Sequence, residues 1–148
     1  MKTSKAQILV TTMMAGACVS STTPATAGAP DDAITAAVRA YVKGGDAQDR
    51  GQVEKITHAS FRVIASMGGA GDASFMSRDD YLGLLDAKKI GGTPRTVKVE
   101  WTKSMGNVAN VKVQLESKAA RFDSLFTLVK TDGRWVVVED VVRFDKKG

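Results

Sequence analysis

Two side chains have the chemistry to move protons. His58 is the only histidine in the chain. Its imidazole titrates near neutral pH, so it can act as a general base or as a hydrogen-bond donor to a bound molecule. The alternative is a histidine at a helix end, making an ordinary structural hydrogen bond. Asp123 sits among Phe122, Leu125 and Phe126, and burial there would raise its pKa toward values useful for acid–base work. The competing reading pairs it with Arg121 or Arg143 at a pocket rim or on an outer face. Tyr41, Phe61, Trp101, Phe126 and Trp135 can wall a pocket for a planar ligand or serve as plain core. The stretch SMGGAGDAS (66–74) has the glycines of a phosphate loop. It lacks the G-K-[S/T] ending and does not run straight into a helix, so a pocket lip is the better reading.

Several chemistries have no footing. One histidine and one cysteine, Cys18, argue against a zinc site. There is no G-x-S-x-G elbow and no Rossmann fingerprint. No cofactor and no metal are expected. Residues 28–148 keep 19 of the 21 Lys and Arg and all 16 acids, a net charge of +3. Those charges are interspersed, and a nucleic-acid binder would show a basic stripe or cluster.

The N-terminal residues have a different logic. MKTSK carries two lysines and no acid, an apolar run follows over residues 8–19, and Ala25-Thr26-Ala27 ends the segment. That order is a secretory signal peptide over 1–27, so an exported, periplasmic or secreted protein is expected. The apolar run falls short of the ~20 residues a transmembrane helix needs. Ala15-Gly16-Ala17-Cys18 resembles a lipoprotein box without its usual large aliphatic residue, leaving lipid anchoring through Cys18 as the alternative. With cleavage after Ala27 no cysteine remains, and the core alone must stabilise the fold.

The elements that position these side chains follow from periodicity. Asp31 or Asp32 caps a helix carrying Ile34, Val38, Tyr41 and Val42, with Gly44-Gly45 expected to end it. Asp46 is expected to cap a shorter helix with Val53 and Ile56 inward, closing near His58. Phe61, Val63, Ala65 and Met67 alternate as a strand. Ser77 and Asp80 form a capping box for a third helix carrying Leu82, Leu84 and Leu85, with Lys88 and Lys89 in its last turn and Gly91-Gly92 after it. From Pro94 onward the chain reads as four antiparallel strands. Val97, Val99 and Trp101 share one face of the first, and Ala109, Val111, Val113 and Leu115 one face of the second. Asp132-Gly133 fits a type I′ turn, which needs two positive φ angles.

The last two strands are apolar on both faces. Three helices can cover one face of a sheet, leaving large aliphatic side chains on the other. Apolar patches of several hundred Å² usually mark interfaces, so a homodimer through the sheet face is expected. The alternative is a curled sheet covered by its own loops.

Taken together, Val38-Arg39-Ala40-Tyr41 with Gly44-Gly45-Asp46, Ile56-Thr57-His58, Ser77-Arg78-Asp79-Asp80-Tyr81-Leu82, Val108 to Val113, and the hairpin from Phe122 to Val138 carry a resemblance. The chain is similar to the nuclear-transport-factor-2-like superfamily, and within it to the lumazine-binding-like and SnoaL-like branches, over 31–148. Glu139-Asp140 departs from the family, which often carries Lys or Asn there. The resemblance implies an α+β fold of the cystatin-like kind, a cone of three N-terminal helices cupped by a curved, mainly antiparallel sheet. It also implies a pocket at the open end of the cone. The superfamily hosts isomerases, cyclases, dehydratases and non-catalytic binding modules, so the fold does not name an activity. The leading expectation is an exported domain that binds a small apolar or aromatic molecule. The alternatives are a cofactor-free isomerase, dehydratase or cyclase using His58 or Asp123, and an interaction module that recruits a different protein.

Overall fold

The computed structural model describes residues 30–69 and 71–148. The expected signal peptide and the Cys18 lipid-anchor alternative lie outside these residues. Three helices are followed and interleaved by six strands: α1 (Pro30–Asp46), α2 (Arg50–Ile56), β1 (Thr57–Met67), β2 (Ser74–Ser77), α3 (Arg78–Asp86), β3 (Thr96–Met105), β4 (Val108–Glu116), β5 (Ala120–Thr131) and β6 (Arg134–Lys146). None of the described helices is long and apolar enough to cross a membrane.

In α1 the buried Ile34, Ala37, Val38, Tyr41 and Val42 lie three or four residues apart, one stripe of a helix. The helix runs through Gly44 and Gly45 instead of stopping there. A Cβ on Gly44 would lie 2.9 Å from Val53 Cγ2, so this glycine lets α2 approach closely. The turn falls later, at Gln48, with φ 54°. Asp49, not Asp46, then caps α2 by accepting from the Gln52 amide at 3.0 Å. His58 directly follows Thr57, the C-cap of α2, and is the second residue of β1. Ser77 and Asp80 form the expected capping box on α3. That helix ends at Asp86, so Lys88 and Lys89 follow it, and Lys88 makes the left-handed turn with φ 58°.

The strands form one sheet in the order β2-β1-β6-β5-β4-β3. The β3 to β6 meander is antiparallel, as the sequence indicates, and Asp132 and Gly133 both take positive φ at its last turn. Two features were not expected. The segment after the 68–71 glycines forms a short edge strand, β2, on β1. The other is that β1 joins the meander by lying parallel to β6.

The sheet departs from strict alternation at two points. In β3, Val99 opposes Val113 while Trp101 opposes Lys112, so Glu100 is an extra residue and Trp101 turns to the opposite face from Val97 and Val99. In β6, Leu128 opposes Val137 while Thr127 opposes Glu139, leaving Val138 as the extra residue. Before it, Trp135 and Val137 face the helices; after it, Asp140, Val142 and Phe144 do. Val141 therefore lies on the opposite face from Trp135 and Val137. The inner face of the sheet closes over the three helices around Val38, Tyr41, Leu82, Leu85, Val111 and Phe126.

Candidate functional site

The bulge at Val138 delivers an acid to the interior. Asp140 is 7% exposed and stands at the floor of a cavity of about 520 Å³. The walls are apolar: Val63 from β1, Met76 from β2, Phe122 from β5, Val142 and Phe144 from β6, and Ile90 from the α3–β3 connection. The exposed Gly91, Thr93, Ala119, Lys146 and Lys147 surround the mouth. A largely apolar hollow with a few convergent polar groups is the usual form of a small-ligand site.

Two hydroxyls flank the carboxyl. The Tyr41 hydroxyl donates to Asp140 Oδ2 at 3.1 Å. Ser124 faces the same carboxyl, yet neither its hydroxyl nor Asp140 Oδ1 completes a hydrogen bond within the protein. Burial raises the Asp140 pKa from 3.8 to about 6, against the opposing pull of Ser124, Arg95 and Tyr41. Burial also pushes Tyr41 well above the usual phenol range and raises Tyr81, so both hydroxyls keep their protons at neutral pH.

An aromatic cluster fixes those phenols. The Tyr41 ring meets Phe126 edge-on at 5.4 Å, tilts on Phe61 at 5.5 Å and stacks on Tyr81 at 5.9 Å. Such contacts orient rings as well as burying area. Arg95, just before β3, is pinned through its backbone amide to Asp46 Oδ2 at 2.9 Å and through Nε to Asp46 Oδ1 at 2.6 Å. Its guanidinium lies 5.1 Å from the Phe122 ring centroid, within cation–π range. The Asp46 carboxylate therefore anchors the cavity's arginine rather than capping a helix.

The side chains singled out in the sequence scatter. Tyr41, Phe61 and Phe126 come together in the aromatic cluster, where only Tyr41 reaches the cavity's carboxyl. Trp135 belongs to the core near the β5–β6 turn. Trp101 is on the outer face, 40% exposed, with Lys103 Nζ 5.4 Å from its ring centroid. His58, at the start of β1, accepts from the Ser60 amide through Nδ1 at 3.0 Å and does not line the cavity. Asp123 lies on the outer face of β5, with Lys112 Nζ at 3.5 Å rather than Arg121 or Arg143. Ser66 and Ala73, from the expected pocket lip, border a groove on that outer face. Among the described residues no group of three or more His, Cys, Asp or Glu is placed to hold a metal.

Asp140, Arg95 and Tyr81 carry the site, and none was selected from sequence. The one available signal was the acidic pair Glu139-Asp140 interrupting a valine-rich strand. Strict alternation would place Asp140 on the opposite face from Trp135 and Val137, and only the extra residue reverses that.

A family model described as "Putative lumazine-binding" matches residues 29–142. No curated protein matches the sequence. Among solved structures, the chain is similar to an NTF2-like protein of unknown function from Silicibacter pomeroyi, with TM-score 0.67 and 24% identity over 77% of this chain and 94% of that one. It is similar to an NTF2-like protein from Cytophaga hutchinsonii, with TM-score 0.68 and 15% identity over 77% and 97%. A ketosteroid isomerase-like protein from Erwinia carotovora atroseptica matches with TM-score 0.59 and 16% identity over 79% and 95%. At these identities the structural likeness shows the fold.

Proposed function

The chain belongs to the lumazine-binding-like family of the nuclear-transport-factor-2-like superfamily, and on that premise we propose that it is an exported small-molecule-binding protein whose ligand occupies the Asp140 cavity. The observation that carries this is the Asp140 carboxyl, the one acid among the described residues that line a largely apolar cavity, with an Oδ1 that completes no hydrogen bond within the protein. A buried polar atom left unpaired costs about 1–3 kcal/mol, and a ligand donor would recover it. Export rests on the signal-peptide pattern of residues 1–27. The test is a thermal-shift and native mass-spectrometry screen of the purified protein against small apolar and aromatic compounds. Bound compounds that carry a hydroxyl or N–H donor should lose affinity in Asp140→Leu; a screen in which nothing binds in the cavity overturns the reading.

A second reading, cofactor-free proton transfer, is favoured by the same carboxyl. With a pKa of about 6, Asp140 can both take and return a proton near neutral pH. Asp140→Asn would then abolish turnover of a bound substrate while sparing its binding.

The homodimer rests on the outer sheet face. Register aligns Phe75, Ile64, Val141, Leu125, Lys112 and Trp101 in one row across all six strands. Polar rows flank it, one with Arg62 and Glu139, the other with Arg143 and Asp123. A face about 24 Å by 25 Å offers roughly 600 Å² per copy, or ~1,200 Å² in a pair, the low end of stable interfaces. A mostly apolar stripe, interrupted by Lys112, between mixed-charge rows is self-complementary, which favours a second copy as the partner.

A further inference from the structure

The cavity is polarised along its length. Past the Val138 bulge the pairing of β6 with β5 is regular, so Asp140, Val142, Phe144 and Lys146 project inward in succession. Six residues at ~3.3 Å each put the Asp140 and Lys146 backbones about 20 Å apart. Allowing for the reach of the two side chains, a gap of roughly 10–15 Å remains between their charges. The inner end holds Asp140, the only acid among the described lining residues. The outer end holds Lys146, which makes no ion pair among the described residues, and Lys147, already committed to Glu116 Oε1 at 2.5 Å and to the Ser117 carbonyl at 2.9 Å. Between them the Phe122 and Phe144 rings pack at 5.0 Å, with Arg95 over the Phe122 ring.

Resting on the binding role given above, we propose that the ligand is an elongated, mostly apolar acid: a hydroxyl or N–H at its inner end donates to the Asp140 carboxylate, and a carboxylate or phosphate at its outer end meets Lys146. A ligand with its anion inward would set two negative charges together in a largely apolar site, where like charges repel strongly. A ligand without the donor would leave the carboxylate with its protein donors alone. A neutral outer end would gain nothing from the exposed lysine.

Four probes on one skeleton separate these claims: 4-hydroxycinnamate with both ends, cinnamate without the hydroxyl, methyl 4-hydroxycinnamate without the anion, and methyl cinnamate with neither. Titration calorimetry at about pH 7.5 keeps Asp140 ionised. 4-Hydroxycinnamate should bind tightest. Removing the hydroxyl should weaken binding about tenfold or more, the range of a hydrogen bond to a charged acceptor. Removing the anion should weaken it several-fold, less so in high salt. In Asp140→Leu the advantage of the hydroxyl should vanish while cinnamate binds as before; in Lys146→Gln the advantage of the carboxylate should vanish. If the leucine variant fails to fold, Asp140→Asn keeps the shape and should cut the hydroxyl advantage several-fold. Equal binding of all four probes overturns the polarity while leaving the cavity a binding site, and binding of none overturns both. A hydroxyl preference that survives at Asp140→Leu, or undiminished at Asp140→Asn, also overturns it.

Discussion

Replacing Asp140 with asparagine should change how stability depends on pH. The native state raises this carboxyl from 3.8 to about 6, and the side chain is almost wholly buried, so little solvent screening applies. For an acid raised on folding, the native state binds the extra proton. Stability is therefore fullest below the unfolded pKa and declines as pH rises through the native one. A shift of about two units corresponds to about 3 kcal/mol, lost across roughly pH 4 to 6. Asparagine has no charge to bury and still accepts from the Tyr41 hydroxyl, so its variant lacks that decline. The difference between variant and parent should swing by about 2–3 kcal/mol between pH 4 and pH 7.5, in favour of the variant at the higher pH. For a domain of this size that is roughly 10 °C in melting temperature. Circular dichroism melts of both proteins across the range measure it. Other carboxylates, such as Glu116 beside Lys147 and the capping Asp80, titrate identically in both and cancel. A stability difference that stays constant with pH would refute the reasoning, because it would mean that Asp140 is not charged at the expense of the fold.

Three further outcomes follow from the same coordinates. Arg95→Met should destabilise by about 2–4 kcal/mol in chemical denaturation, since it strands the largely buried Asp46 carboxylate; Asp46→Asn with Arg95→Met should cost less than the two singles added. Gly91→Ala should cost about 2–4 kcal/mol in the same assay, because a Cβ there would sit 2.0 Å from the Gly45 carbonyl oxygen at a φ of 72°. Leu125→Glu puts a charge in the middle of the outer apolar row and should leave the protein monomeric in light scattering without lowering its melting temperature by more than a few degrees.

What could be read from sequence was whatever obeyed a simple period. The alternation of Ala109, Val111, Val113 and Leu115 is uninterrupted, and β4 is a regular strand with those four residues buried. The Ser77–Asp80 box and the Asp132-Gly133 turn are local chemistry, and both form where their residues stand. The site was illegible for a specific reason. One extra residue, Val138, reverses the faces of everything after it, so the same rule that placed Val137 correctly misplaces Asp140. Glu100 does likewise to Trp101. Gly44-Gly45 misled differently: a glycine pair signals a helix end, but here tertiary packing against Val53 explains Gly44. The β1–β6 pairing joins residues about 80 positions apart, and nothing in either segment's own pattern announces its partner.

That pairing also governs how the protein can be made. β6 is synthesised after every other described strand, yet it lies in the middle of the sheet, between β1 and β5. Until it leaves the ribosome, the helices with β1 and β2 are one fragment and the β3–β5 meander is another. Each presents a long unpaired edge with nothing to zip against, a state open to wrong partners. Closure is then a single late event, in which one thirteen-residue strand sutures two halves and, in the same stroke, carries Asp140 inward.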